Sequence, residues 1–126
     1  MTDDSAHCPC LSGEAYGDCC RPLHSGVPAP TAERLMRSRF TAFATGNPSY
    51  LLSSWHPSTR PMSLDLDPDQ CWYRLDILRT ERGRTDDRDG LVEFRAWYRH
   101  PEGAGDQHEV SRFRRDDNRW YYVDGE

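Results

Sequence analysis

Four of the five cysteines lie within thirteen residues near the amino end of the chain, and this cluster constrains the fold more than any other feature. The sequence there reads Cys8-Pro9-Cys10, then a polar stretch, then Cys19-Cys20. A segment this short and polar cannot build a hydrophobic core of its own, so it needs cross-links or a bound ion to hold one shape. The use made of these cysteines therefore decides how this end of the chain folds.

Three uses compete: disulfides, a redox pair and a metal site. The acidic start, Met1-Thr2-Asp3-Asp4, lacks the apolar stretch of a secretory signal, so we expect a reducing cytoplasm, where structural disulfides are rare. Neither cysteine pair has the C-x-x-C spacing of thioredoxin-like motifs. A bridge within either pair would close a strained ring, whereas crossed bridges between the pairs remain sterically possible.

A structural zinc site fits the cluster better. Four thiolates around one zinc ion, at about 2.3 Å, form a closed tetrahedral site, and the turn-formers Ser12-Gly13 and Gly17-Asp18 can fold both pairs towards one ion. Four protein ligands leave no open position, which excludes a hydrolytic centre. The sequence therefore predicts a structural zinc ion held by Cys8, Cys10, Cys19 and Cys20.

Basic side chains flank this predicted site and bear on its charge. Four thiolates outweigh the two charges of a zinc ion, and Arg21, His7 and His24 are placed to compensate, for example by donating hydrogen bonds to sulfur. Either histidine could instead replace one cysteine as a ligand. The spacing leaves that alternative open.

Two helices are predicted after an extended spacer at residues 27–30. Residues 31–46 begin with Thr31 as the N-cap, end at Gly46 and carry apolar residues at helical spacing. Asn47-Pro48 starts a second helix that should reach Trp55, before Pro57. Arg34 and Arg37 are expected on a solvated face. Arg39, beside the apolar stripe, is expected to meet a buried carboxylate. The stripe consists of Ala32, Leu35, Met36, Phe40, Phe43 and Ala44.

The remainder of the chain predicts four consecutive strands. From Cys71 the apolar period becomes two, with Tyr73, Leu75 and Ile77 on one face; further strands follow at 91–98, 107–115 and 119–123. In the second strand the inward residues are predicted to be Val92, Phe94, Ala96 and Tyr98. The fold class is therefore α+β, with amino-terminal helices packed on a curved antiparallel sheet of about four strands.

The cysteine segment and several later blocks of the sequence resemble a known family. Cys8-x-Cys10-x-Ser12-Gly13, Tyr16 and Cys19-Cys20 resemble the SEC-C motif, the zinc motif at the carboxyl terminus of SecA, with Leu11 where that motif usually has glycine. Further blocks resemble the YchJ-like bacterial proteins: 21–26, 30–33, 35–40, 55–61, 108–113 and 120–125. The resemblance implies a SEC-C zinc motif at 1–27 and a nuclear-transport-factor-like, cystatin-like cone domain at 28–126.

A cone domain encloses a pocket, and several polar residues are candidates to line it. A small isomerase or dehydratase could use His56 and Asp124 as an acid–base pair with Tyr98 as a donor. His108 and Glu109 cannot both line one cavity, because neighbouring strand residues face opposite sides. Structural roles compete for each residue: His56 can cap a helix end, and Glu109 can pair with Arg95 or Arg99. The other candidates are Trp55 and Trp72, while Cys71 is expected to be a packing residue.

Two functions remain after these observations. We favour a structural zinc module that serves protein interaction, joined to a cone domain that binds a small ligand. The reason is that no nucleophile, cofactor loop or open metal site accompanies the pocket. The alternative is the acid–base enzyme. A net charge of −5 argues against general nucleic-acid binding, so ribosome association would depend on the zinc knuckle and Arg21. No apolar run approaches the ~18 residues of a membrane span. Monomer and homodimer both remain open, and an outward Trp97 could serve a dimer.

Overall fold

The computed structural model describes residues 4–125; residues 1–3, most of the acidic start, and residue 126 lie outside the described residues. A 3-10 turn at Tyr16–Asp18 precedes three helices and four strands. The helices are α1 (Cys20–His24), α2 (Ala32–Thr45) and α3 (Pro48–Ser53), and the strands are β1 (Cys71–Arg82), β2 (Asp89–Arg99), β3 (Gly105–Asp116) and β4 (Arg119–Gly125). The strands form one antiparallel sheet in chain order. The predicted α+β class and four-strand meander are confirmed.

The helix ends of α2 and α3 follow the predicted capping residues. Thr31 Oγ1 accepts a hydrogen bond from the Arg34 amide at 3.1 Å, and Gly46 ends α2 in the left-handed conformation at φ 73°. Asn47 Oδ1 accepts from the Tyr50 amide at 3.1 Å and caps α3. That helix ends at Ser53, earlier than predicted. No helix in the described part of the chain is long and apolar enough to cross a membrane.

The hydrophobic core lies between α2 and the inner face of the sheet. Val92, Phe94 and Ala96 of β2 are buried there, as predicted, whereas Trp97 lies on the outer face beneath the Arg74 guanidinium. The other buried apolar residues of this layer are Leu35, Met36, Phe40, Leu51, Leu75, Phe113 and Trp120. The packing of α2 on one face of the sheet therefore follows the predicted helical spacing of apolar residues in α2 and their predicted alternation in the strands.

Strand β1 corrects one predicted orientation. A register shift between Trp72 and Arg74 places an extra residue opposite β2, and this bulge turns Tyr73 outward, 41% exposed, under the Arg99 guanidinium. Trp72 turns inward instead and packs against Phe43. The prediction that Tyr73 shares a face with the buried Leu75 was wrong, because period-two reasoning assumes an unbroken ladder.

Two contacts fasten the helices to the sheet. At the start of the loop between β1 and β2, the Ala32 amide donates to Gly83 O at 2.9 Å, and a Cβ on Gly83 would lie only 2.8 Å from the Ala32 Cβ. Along the outer edge of β4, the Tyr122 amide donates to Ser54 O at 2.9 Å and the His56 amide donates to Tyr122 O at 2.7 Å. The chain after α3 therefore covers the edge of β4.

Candidate metal centre and interior cavity

The four amino-terminal cysteines converge on one point. Their sulfur atoms all lie within 4.8 Å of one another, and Cys19 Sγ lies 3.6 Å from Cys10 Sγ and 3.9 Å from Cys20 Sγ. All four are free thiols and at most 1% exposed. A tetrahedron of thiolates with bonds of about 2.3 Å has sulfur–sulfur edges of about 3.8 Å. The sulfurs of Cys8, Cys10, Cys19 and Cys20 therefore fit a single metal ion.

Backbone turns bring the two cysteine pairs together. The Leu11 amide donates to Cys8 O at 3.1 Å, and the Cys8 amide donates to Glu14 O at 2.9 Å, so the chain doubles back between the pairs. Leu11 makes this turn at φ 63°, the left-handed region that favours glycine. Cys19 and Cys20 then stand at the start of α1, which the sequence did not predict because five residues carry little periodicity.

Helix α2 holds the cysteine segment through its polar side. Arg37 Nη1 donates to Cys10 O at 2.8 Å, and Arg34 Nη2 donates to Cys19 O at 3.0 Å. Thr41 Oγ1 lies 3.3 Å from Cys20 Sγ. The face of α2 that was expected to be solvated therefore packs against the cysteine cluster, and the prediction for Arg34 and Arg37 was wrong. The cysteines join the same buried cluster as the sheet residues, while the division at residue 27 stays a prediction.

The thiols perturb one another strongly. Hydrogen bonds from the Cys20 and Cys8 thiols lower the pKa of Cys10, and the interaction with Cys10 raises the pKa of Cys20, which burial raises further. Within this pair the proton therefore leaves Cys10 before Cys20. Deprotonating all four sulfurs in a buried site needs a cation to balance the charge, as a metal ion would.

The flanking basic residues do not join this group. The ring of His24 is bound at both ends: its Nδ1 lies 2.9 Å from Tyr16 Oη and its Nε2 lies 2.9 Å from Ser38 O. Burial lowers the pKa of His24, and a neutral ring satisfies both contacts by accepting from Tyr16 and donating to Ser38. His7 lies in an exposed bridge beside the cluster. Arg21 pairs with Asp4 at the surface rather than with sulfur.

The residues considered as an acid–base set are not brought together. His56 Nε2 donates to Asp116 Oδ2 at 2.5 Å and holds the pKa of that carboxyl below its ordinary value. Asp124 is bound by the Arg112 guanidinium, which lowers its pKa in the same way. Tyr98 packs on Trp72, with ring centres 5.0 Å apart. The pairing of His56 with Asp124 is therefore not formed.

His108 and Glu109 lie on opposite faces of the sheet, as predicted. His108 Nε2 donates to Glu93 Oε2 at 2.6 Å on the outer face, whereas Glu109 faces inward. The expected pairing of Glu109 with an arginine was wrong: Arg95 pairs with Asp106, and Arg99 stacks on the outward Tyr73. Glu109 cannot reach either arginine, because its side chain lies on the inner face of the sheet and both arginines lie on the outer face.

An interior cavity of about 150 Å³, partly open to solvent, lies between α2 and the inner face of the sheet. Arg39 lines it and is only 3% exposed, and its Nη1 donates to Leu51 O at 2.8 Å and to Ser54 Oγ at 2.7 Å. The guanidinium carbon lies 5.1 Å from the Trp55 ring centre and 4.3 Å from that of Tyr122. Arg39 is therefore a buried charge at the wall of a cavity.

Glu109 lies across the same cavity and is held by neighbouring donors. Its carboxylate accepts from the Tyr122 hydroxyl at 3.2 Å, from Gln107 Nε2 at 3.3 Å and from the Ser111 hydroxyl. Two features of the sequence point to this cavity. Arg39 lies one helical turn after the buried Leu35, which places it on the inner side of α2, and the alternation along β3 places Glu109 and Ser111 on the same face. Among residues 4–125 no carboxylate contacts Arg39, so the expected ion pair is not formed; Glu109 acts on the Arg39 charge only through space and is itself bound by hydroxyl and amide groups.

Sequence comparison agrees with this architecture. A family model described as "YchJ, middle NTF2-like domain" matches residues 31–125. A UPF0225 protein of Streptomyces coelicolor is 52% identical over 94% of both chains. A UPF0225 protein of Corynebacterium glutamicum is also 52% identical, over 94% of this chain and 95% of its own.

Solved structures give the same result. The solution structure of a SEC-C motif containing protein from Rhodopseudomonas palustris is 31% identical, covers 100% of this chain and 98% of its own, and superposes with a TM-score of 0.81. The crystal structure of a SEC-C motif containing protein from Psychrobacter arcticus is 28% identical, covers 96% of this chain and 82% of its own, and gives 0.78. With the cysteine cluster and the helix-backed sheet already described, these matches show that the chain belongs to the YchJ-like UPF0225 family, which combines a SEC-C motif with an NTF2-like domain.

Proposed function

We propose that the protein is a cytoplasmic zinc-stabilised interaction protein whose cysteine segment engages a protein partner and whose cone domain binds a small ligand. The observation that carries the proposal is the convergence of four buried sulfurs within 4.8 Å. Thiolates in a tetrahedral set suit zinc, and a reducing compartment keeps them free of disulfides. The zinc ion would be held by Cys8, Cys10, Cys19 and Cys20.

The role proposed for the zinc ion is structural. Four thiolate ligands leave no position open for a substrate or water. The ion would tie the turn at Cys8 and Cys10 to the start of α1, and the hydrogen bonds from Arg34 and Arg37 would carry this order into α2. A structural metal ion of this kind would hold the surface of the cysteine segment in one conformation.

Leu11 is the side chain that favours a protein partner for this surface. It lies at the turn between the cysteine pairs, is 53% exposed and has φ 63°. The left-handed conformation costs a leucine about 1–2 kcal/mol, and strain of this kind is concentrated at functional sites. An exposed apolar side chain on a rigid turn suits a partner protein that offers an apolar pocket.

The metal part of the proposal is tested by two matched substitutions, Cys19→Ser at the cluster and Cys71→Ser at the first residue of β1. Cys71 is exposed, so the prediction that it is a packing residue was wrong. We expect one zinc per chain by elemental analysis in the wild type and in Cys71→Ser, and loss of zinc with a lower melting temperature in Cys19→Ser. Folded wild-type protein that holds no metal would contradict the proposal.

The partner part is tested by affinity capture from cells that express the tagged full chain. We expect a protein retained by the wild type and by Cys71→Ser, lost with Cys19→Ser, and captured less by Leu11→Gly, which keeps every proposed zinc ligand. Equal capture by all four proteins would show that neither the metal-ordered segment nor Leu11 contacts a partner.

A further inference from the structure

We infer that the interior cavity binds a small aromatic monocarboxylate, whose carboxylate is held by the Nε–Nη2 edge of Arg39. The inference rests on the ligand-binding role proposed above for the cone domain, and it names the chemical class of the ligand. The residues that carry it are Arg39, the aromatic walls and the polar group around Glu109.

Arg39 is a buried cation without a contacting counter-ion. It is 3% exposed, and among residues 4–125 no carboxylate forms an ion pair with it. Burial lowers the pKa of Arg39 to about 10, so it still carries its charge at neutral pH. Buried arginines are ordinarily paired, because an uncompensated charge in an apolar interior is costly. Glu109 opposes this charge through space without contacting it, so the guanidinium at the cavity wall still lacks a directly bound anion.

The hydrogen-bond donors of Arg39 are only partly used. Nη1 donates to Leu51 O and Ser54 Oγ, whereas Nε and Nη2 have no hydrogen-bond partner in the described residues. These two nitrogens are not sealed off, since the fully buried side-chain nitrogen and oxygen atoms lacking a partner in this part of the chain belong to Trp55 and Trp120. The Nε–Nη2 edge presents two parallel N–H groups, the geometry that binds a carboxylate through both oxygens.

The size and walls of the cavity select the rest of the ligand. The volume is about 150 Å³, and an apolar protein cavity of that size is known to bind one benzene molecule. Most of the lining is apolar, and its large members include Phe40, Phe43, Trp55, Leu64, Trp72 and Phe94. A single aromatic ring fills this space, and one polar substituent is all that the polar end can accommodate.

The polar end distinguishes an anion from a cation. The Glu109 carboxylate already accepts hydrogen bonds from Ser111, Tyr122 and Gln107, so a cationic ligand would gain few new hydrogen bonds there. The Nε–Nη2 edge of Arg39, in contrast, has two unused donors and no acceptor among the described residues. The missing group is therefore a negatively charged hydrogen-bond acceptor, which a carboxylate provides.

The inference is tested first on the unaltered full chain with four probes of one size: benzoate, benzamide, benzylamine and toluene. Calorimetry and the fluorescence of Trp55 and Trp72, which line the cavity, report binding. We expect saturable binding of one benzoate per chain, with benzamide and benzylamine at least about tenfold weaker. If benzamide or toluene binds as tightly as benzoate, the cavity binds ligands but the carboxylate inference is overturned. If no probe binds, the ligand-binding role of the cone domain fails too, while the metal part of the proposal stands.

Two matched substitutions then locate the carboxylate. Arg39→Lys keeps the charge but loses the two-pronged edge, so we expect benzoate to bind at least about tenfold more weakly and benzamide to change less. Arg79→Lys is the control, because Arg79 lies on the outer face and pairs with Glu81 and Glu93. Folded Arg39→Lys protein that binds benzoate as tightly as the wild type would overturn the inference. Should that variant not fold, the probe series on the unaltered chain decides alone.

Discussion

At the scale of single residues, Leu11 combines strain with exposure. Its φ of 63° lies in the region that glycine adopts freely, and glycine is the residue that the SEC-C pattern usually has at this position. The substitution was visible in the sequence, but its cost was not, because a backbone dihedral follows from how the cysteine pairs close on each other. The conformation of Leu11 therefore links the motif to the geometry of the cysteine cluster.

Leu11→Gly is expected to raise the free energy of unfolding of the zinc-loaded protein by about 1 kcal/mol, because glycine removes the Cβ clash of the left-handed conformation. Leu11→Ala is the control, since alanine keeps the Cβ and should give no such gain. Denaturant unfolding measures both. A loss of stability in Leu11→Gly would mean that the leucine side chain makes stabilising contacts that outweigh its strain.

Tyr122 gives a residue-scale prediction about pH. Burial, and then the charge of Glu109, raise the pKa of Tyr122 above its ordinary value. The folded phenol keeps its proton to higher pH than the unfolded one, so its contribution to stability is present below about pH 10 and is lost as the pH rises further.

Tyr122→Phe should therefore be less stable than the wild type near neutral pH, by about 1 kcal/mol for the lost hydrogen bond to Glu109, with the difference narrowing above about pH 10. Denaturant unfolding across this pH range measures it. Tyr73→Phe is the control, since Tyr73 is 41% exposed and should show no such narrowing. A difference that stays constant through alkaline pH would contradict the burial of a neutral Tyr122.

At the scale of elements, α2 serves two sites at once. Its polar side, through Arg34, Arg37 and Thr41, holds the cysteine segment, and its other side places Arg39 and Phe40 at the cavity. The caps and the apolar stripe of α2 were predictable, because both are local patterns. The docking of its arginines was not, because the cysteine segment carries no signal that it packs against this helix.

Arg37→Met should lower the free energy of unfolding by about 1–2 kcal/mol and speed the removal of zinc by a chelator. It keeps the aliphatic stem but deletes the hydrogen bond to Cys10 O, along with a part-exposed ion pair to Glu33 that contributes little. Arg21→Met is the matched control: Arg21 is exposed beside the same segment and pairs only at the surface with Asp4, so little change is expected. Equal rates of zinc loss in the two variants would contradict the role given to Arg37.

The strands show the same limit on local patterns. Alternation placed Phe94 of β2 correctly on the inner face and His108 and Glu109 of β3 correctly on opposite faces, because those ladders are regular over these residues. In β1 the bulge after Trp72 changes the parity, and nothing in the local sequence predicts that insertion. Tyr73 therefore faces solvent although its spacing from Leu75 suggested otherwise.

At the scale of the whole molecule, the cysteine segment and the cone domain share one buried core. The sequence predicted the metal ligands from residue type and the cavity from the fold resemblance. It did not predict that one helix would join them, nor that His56, Tyr98 and Asp124 would lie apart, because strand register and loop closure decide those distances. The molecule consequently unites both candidate sites around α2.

A shared core predicts that the zinc-loaded chain unfolds in one thermal transition, and that Cys19→Ser shifts the whole transition downward. Scanning calorimetry measures this through the agreement of the calorimetric and van't Hoff enthalpies. Cys71→Ser should melt as the wild type does. Two separate transitions, of which only one responds to metal, would show that the segment and the cone domain fold independently.

X-ray absorption spectroscopy of the zinc-loaded full chain tests the coordination by four cysteines most directly. The account predicts a first shell of four sulfur atoms at about 2.3 Å, with no nitrogen or oxygen neighbour. A shell that contains a histidine nitrogen or a water oxygen, or a chain that folds fully while binding no zinc, would contradict it.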